Sequence, residues 1–399
     1  MKLRILLLSL FLFFTVSVNS QNLQWTKILG SEGEEYSLNH LTDKNNNIYV
    51  SGKTTGSVDG QNLGMNDGFL IKVDNSGKIL WKKQFGSDKE DDVQWSAIDK
   101  NGNVYLTGFT FGSIGGANKG REDIFLVKYD PSGQLIWKKQ FGTDSTDIAK
   151  GICIGNEGSV YITGGTNGTL GERSSGKSDC YVLKCDVNGN ILSSVQLGTP
   201  EDDLGYSIAA GNGSEIFICG TTWGSLSGKN HGFIDGFTAH LTGDLKETSF
   251  NQFGSDGFDI ALVLHSDKEN NLYVGGSTSG NFGADQKGEG DCFLLKMDKN
   301  GNTLWQEQFG TEHHDGIRGI DVDKNVIISG ILNLPPEKAF IRIYDTDGKL
   351  EWEKAFEGTS GKDVLANKKG FTHLGLTGSN QFGPLIGGHD VYILRYSWK

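Results

Sequence analysis

Cysteine is scarce in this chain, basic residues are outnumbered, and beyond the first twenty residues no apolar run is long. The five cysteines are Cys153, Cys180, Cys185, Cys219 and Cys292. An odd number leaves at least one thiol unpaired, and the spacings fit no metal-ligand pattern, so these residues read as small buried side chains. A Cys180–Cys185 bridge is not expected, because both fall in one extended run. Lys and Arg number 37 against 49 Asp and Glu, a net charge of −12. That balance argues against nucleic acid, whose phosphates need a basic face, and against electrostatic attachment to anionic lipid. No segment after residue 20 approaches the roughly 20 apolar residues of a membrane helix, so no transmembrane segment is expected.

Residues 1–20 have the form of a signal peptide. Lys2 and Arg4 give a positive start, Ile5 to Phe14 an apolar core, and Val18 and Ser20 the small residues before a cut ahead of Gln21. Export to the medium or the cell surface is the expectation, with residues 21–399 forming one domain. Loss of Lys2 and Arg4 takes the net charge from −12 to −14.

The remainder is repetitive. Trp25, Trp81, Trp137 and Trp305 sit on a 56-residue grid whose gaps hold Ser193 and Ser249. Gly52, Gly108, Gly164, Gly220 and Gly276 follow the same spacing, and Gly330 and Gly378 come early. A repeat of this length, tiled without spacers, means one stacked or closed array.

Within the second copy, "VQWSAID", "VYLTGFT", "DIFLVKYD" and "LIWKKQFG" are short runs of β-branched and aromatic residues separated by turns. Asp99–Gly102 and Asp130–Gly133 have type I turn chemistry, with Asp bonding its own backbone and Gly taking the left-handed position. The unit is a four-stranded antiparallel meander, strands a to d. Runs such as "DGFLIKVD" are apolar on both sides, which suits a sheet covered on both faces. Meanders stacked on copies of themselves are propeller blades. The c strands begin at Phe69, Phe125, Tyr181, Phe237, Phe293, Phe340 and Tyr392, which gives seven blades. Only six d strands follow them, and the missing one is "LQWTKILG" at the other terminus. The expected fold is therefore an all-β, seven-bladed β-propeller, with residues 23–30 completing the last blade and closing the ring.

The segments "GSDKEDDVQWSAIDKNGNVYLTGFT" and "DIFLVKYDPSGQLIW" resemble the bacterial seven-bladed propeller repeat known as the SBBP repeat, and the resemblance runs over residues 23–399. Blade 4 departs in lacking the tryptophan, blade 6 in having Lys338 for the aspartate before strand c, and blade 7 in having Lys368-Lys369-Gly370 at its first turn. The resemblance implies an exported or surface protein and supplies no catalytic residues.

Five residues after the glycine that ends strand d, an acid recurs: Glu35, Asp91, Asp147, Asp203, Asp259, Asp315 and Asp363. This position enters strand a, the channel strand of a propeller. The seven acids are a candidate Ca²⁺ ring, set against a structural role in which each caps its own d–a loop. The structural role is favoured, because two charges about 8 Å apart in water repel by only about 0.5 kcal/mol and need no metal. No other cofactor is expected. The aspartates before strand c (Asp67, Asp123, Asp179, Asp235, Asp291, Asp390) read as loop-closing side chains.

The b–c loops, about a dozen residues each, share the face of the acidic positions. They carry Phe111 and Trp223 where other blades have Thr55, Asn167 and Ser279, so these two aromatics are candidate ligand-stacking residues. No nucleophile–base pair stands out from the repeat pattern. The sequence therefore points to a monomeric binding or structural scaffold that meets a protein or glycan through its long-loop face. The competing class is a carbohydrate-active hydrolase or lyase using the same face.

Overall fold

Turn chemistry sets the strand boundaries. Gly102 N–H donates to Asp99 O at 2.9 Å while Asp99 Oδ1 accepts from Asn101 and Asn103 N–H. Gly102 has a φ of +85°, where a side chain would be strained. The computed structural model describes residues 21–171 and 174–398, so the expected signal peptide at 1–20 lies outside the described residues.

Seven four-stranded antiparallel sheets form the ring. Blade 1 runs through strands a (Glu35–Thr42), b (Ile48–Thr54), c (Asp67–Val73) and d (Ile79–Phe85). Blades 2 to 6 start at Asp91, Asp147, Asp203, Asp259 and Gly316, and blade 7 at Thr359. The fourth strand of blade 7 is Asn22–Leu29, paired antiparallel with Asp390–Ser397, so the N-terminal strand closes the ring as expected. The c strands are buried on both faces, every residue of Asp67–Val73 included.

The repeated motif residues turn out to join neighbouring blades. Trp25 lies against Gly77 in the c–d turn of blade 1 and donates Nε1–H to Asn75 O at 3.0 Å. Trp81 covers Gly133, Trp137 covers Gly189 and Trp305 covers Gly348 in the same way. The strand-c lysines reach across too: Lys72 Nζ donates to Pro131 O and Lys128 Nζ to Val187 O, each at 3.0 Å.

The glycine grid answers to a β-bulge. Strand a of every blade has one unpaired residue, and the carbonyl two residues before it presses under strand b. A Cβ on Gly52 would lie 2.0 Å from Tyr36 O, and one on Gly108 1.8 Å from Asp92 O. Only glycine fits opposite such a bulge. In blade 7 the glycine opposite Tyr392 is Gly375, not Gly378, and its Cβ would meet Ser360 O.

Candidate functional site

The d–a junctions were the first candidate. Glu35, Asp91, Asp147, Asp203, Asp259 and Asp315 are all buried, and each accepts from the backbone N–H and the hydroxyl of the Ser or Thr four residues before it. In blades 1 to 3 a strand-b threonine (Thr54, Thr110, Thr166) donates as well. These carboxylates are turned into their own loops. Burial pushes Asp91, Asp203, Asp259 and Asp315 above the ordinary carboxyl range, and the loop hydrogen bonds oppose that shift. Among the described residues no three His, Cys, Asp or Glu side chains gather as metal ligands.

Asp363 is not a member of this set. The register places Thr359 opposite Thr377 as Glu35 stands opposite Thr54, so Asp363 corresponds to Asn39. The repeat shortens in blade 6, and counting from its glycine displaces the alignment by four residues. Lys338 and Thr359 thus replace both acids at one junction. At the others a strand-c aspartate and the following acid flank a glycine, as Asp67 and Asp91 flank Gly86.

The b–c and d–a connections do share one face: Phe111 N–H donates to Glu90 O and Asp91 N–H to Asn66 O. The loops are held by a glutamine that sequence reasoning overlooked. Gln84 accepts from Val58 N–H at 2.7 Å and donates to Gly56 O and Asp67 Oδ2. Gln140, Gln196, Gln252 and Gln308 repeat the clamp.

Of the aromatic candidates, Phe111 is half-buried and packs edge-on to Phe109, while Trp223 is 37% exposed. They stand at different junctions, bonded to Glu90 and Asp202, and the structure does not bring them together. A more exposed pair lies between blades 4 and 5. Phe233 (68% exposed) and Phe258 (47%) stack with centroids 5.3 Å apart and planes 12° from parallel. On the repeat grid Phe258 replaces Glu90, Thr146, Asp202 and His314, and Phe233 replaces Met65, Arg121, Lys177 and Glu289. That substitution pattern was available in the sequence.

The channel holds the strongest departure from symmetry. The bulge aims one residue per blade inward: Leu38, Gln94, Lys150, Tyr206, Leu262, Arg318 and Lys362. They surround a chamber of about 180 Å³. Three positions into strand a, it lies about 10 Å below the loop face. Trp95 of blade 2 packs against the core of blades 2 and 3 and also against that of blades 5 and 6, so it spans the channel beneath the ring. Lys150 Nζ donates to Gln94 Oε1 (3.0 Å), and Gln94 Nε2 donates to Asp92 (2.8 Å), which itself pairs with Lys53. Among the described residues Arg318 and Lys362 have no ion-pair partner, unlike Arg342 with Glu307 and Glu353. Burial, and then the charge of Arg318, lower Lys362 to about 8, with Glu337 opposing. Arg318 is open to channel water yet walled in, and burial lowers it as well. Burial raises the Tyr206 phenol, and the Thr221 hydroxyl, then the charge of Arg318, oppose that.

A third group has the outline of a hydrolytic triad. His40 Nδ1 lies 2.9 Å from Asp363 Oδ2 and its Nε2 lies 2.6 Å from Thr372 Oγ1. All three residues are buried, so no substrate reaches the hydroxyl. His313 and His314 approach separate acids, Glu312 and Glu289.

Fold and motifs together define a seven-bladed β-propeller built from repeats. The chain carries the SBBP beta-propeller repeat, whose family model matches residues 24–58. That match begins in the last strand of blade 7 and ends after strand b of blade 1, so the sequence repeat is out of phase with the blades. The regulatory protein FlaEY of Caulobacter vibrioides is 27% identical over 225 residues, 50% of this chain and 23% of that protein. An uncharacterized WD repeat-containing protein, L264, of Acanthamoeba polyphaga mimivirus is 23% identical over 382 residues, 79% and 26% respectively. The chain thus spans about a quarter of the length of these two relatives.

Among solved structures, an ulvan lyase of polysaccharide lyase family PL25 matches with a TM-score of 0.53 and 12% identity, covering 93% of this chain and 96% of the other. The WD40 domain of Neurospora crassa Pan2 gives 0.53 and 10%, covering 91% and 89%. The periplasmic gluconolactonase of Pseudomonas aeruginosa gives 0.52 and 11%, covering 88% and 98%. These likenesses speak to the fold.

Proposed function

We propose that the protein is an exported, monomeric binding propeller that docks a glycan on its long-loop face. The observation that carries this reading is the exposed Phe233–Phe258 stack, placed where the other full-length junctions use at least one polar or charged residue. Flat aromatic faces suit the C–H face of a sugar ring. Two rings offer too little apolar surface for a stable protein partner, which takes about 800 Å² per side. Aromatic stacking contributes about 0.5–1.5 kcal/mol beyond burial. Phe258→Ala should therefore weaken glycan binding about tenfold in surface plasmon resonance against a polysaccharide panel. Undiminished binding by that variant, or capture of proteins alone, contradicts the reading. The alternative is a carbohydrate-active enzyme on the same face, and new reducing ends or unsaturated products in the same incubations would favour it.

A further inference from the structure

We infer that the central chamber is a binding site for one small dianion, held between Arg318 and Lys362 and closed below by Trp95. The inference does not depend on the aromatic stack.

Placement comes first. Arg318 and Lys362 are the inward bulge residues of adjacent blades, 6 and 7, where blades 1 and 5 have leucine. Two like charges side by side repel, Lys362 also loses hydration to burial while Arg318 stays open to channel water, and proteins ordinarily answer such a pair with acids. Here the nearby acids are committed elsewhere or form no ion pair with either cation among the described residues. Asp92 is held by Lys53 and Gln94, and Glu337 stands on the blade 6 loop above. A doubly charged anion would supply the missing compensation. Arg318 offers a planar fork of donors, Lys362 a point charge, and the Tyr206 hydroxyl a neutral donor on the same wall.

Size then limits the ligand. About 180 Å³ is room for several waters, each of which needs about 10–15 Å³ of such space. A tetrahedral oxyanion or a short dicarboxylate fits, whereas a polymer can enter only by an acidic terminus, because Trp95 bars threading. The chain as a whole is acidic, so attraction of an anion is a local property of this chamber.

Isothermal titration of the purified protein with inorganic sulfate, and separately with malonate, tests the site and tells oxyanion from carboxylate preference. One saturable site is expected for at least one of them. Arg318→Met and Lys362→Met should each weaken it about tenfold or more, the loss of one charge-assisted hydrogen bond. Lys362→Arg should retain binding, and Lys177→Met on the exposed rim should leave it unchanged. Melting curves confirm folding, and both methionine variants should melt no lower than the parent, since each removes an unpaired cation. No saturable heat from either anion through millimolar concentrations, or equal binding by the Arg318→Met/Lys362→Met double variant, overturns the inference.

Discussion

Asp363 Oδ2 accepts both the backbone N–H and the ring Nδ1–H of His40, each at 2.9 Å, across 323 residues of chain. This contact joins strand a of blade 1 to strand a of blade 7, beside the seam where the ring closes. Thr372 completes it at His40 Nε2. In a closed ring the junction between first and last blades has no covalent continuity except through the terminal strand, so buried polar contacts there hold the closure in register.

Asp363→Ala should therefore cost about 2 kcal/mol, because the buried backbone and ring nitrogens of His40 lose their hydrogen-bond partner. Urea unfolding checks this. A shift in midpoint no larger than that of a surface substitution would make the contact incidental.

A chain beginning at Ser31 lacks the fourth strand of blade 7 and exposes the edge of Asp390–Ser397. Leu29, buried in the core that blades 1 and 7 share, is lost with it. The melting temperature should fall by about 10 °C or more, since each kcal/mol moves a domain of this size by only a few degrees. An unchanged melting temperature would refute closure through the N-terminus.

Lys362 gives a pH signature. Its folded value of about 8 lies below the ordinary 10.5, so between those values the unfolded chain holds more protons and stability rises with pH. Lys362→Met removes a cation whose burial is costly. The variant should exceed the parent in stability by on the order of 1 kcal/mol at pH 7. That advantage should shrink as pH climbs from about 8 towards 10.5. Urea midpoints at pH 7 and pH 10 check both the sign and the convergence.

The fold was legible because its determinants recur in fixed columns. Glycines such as Gly52 and Gly108 stand opposite bulges, and tryptophans such as Trp81 and Trp137 cover the next blade's turn. Each has one steric reason repeated around the ring. Blade 7 was misread where the spacing broke, which put Asp363 in a column that belongs to Thr359. The chamber was not legible for the opposite reason. Its column reads Leu38, Gln94, Lys150, Tyr206, Leu262, Arg318, which shows no shared chemistry until the bulge is known to point each residue into the channel. Recurring acids drew attention first, yet recurrence marked the scaffold, while the variable column marked the candidate site.

The most direct test is a crystal of the protein soaked in selenate, a dianion whose selenium scatters anomalously. A single strong anomalous peak between Arg318 and Lys362, above the ring of Trp95, is the predicted result. Peaks confined to the outer surface, with an anion-free chamber, would contradict it.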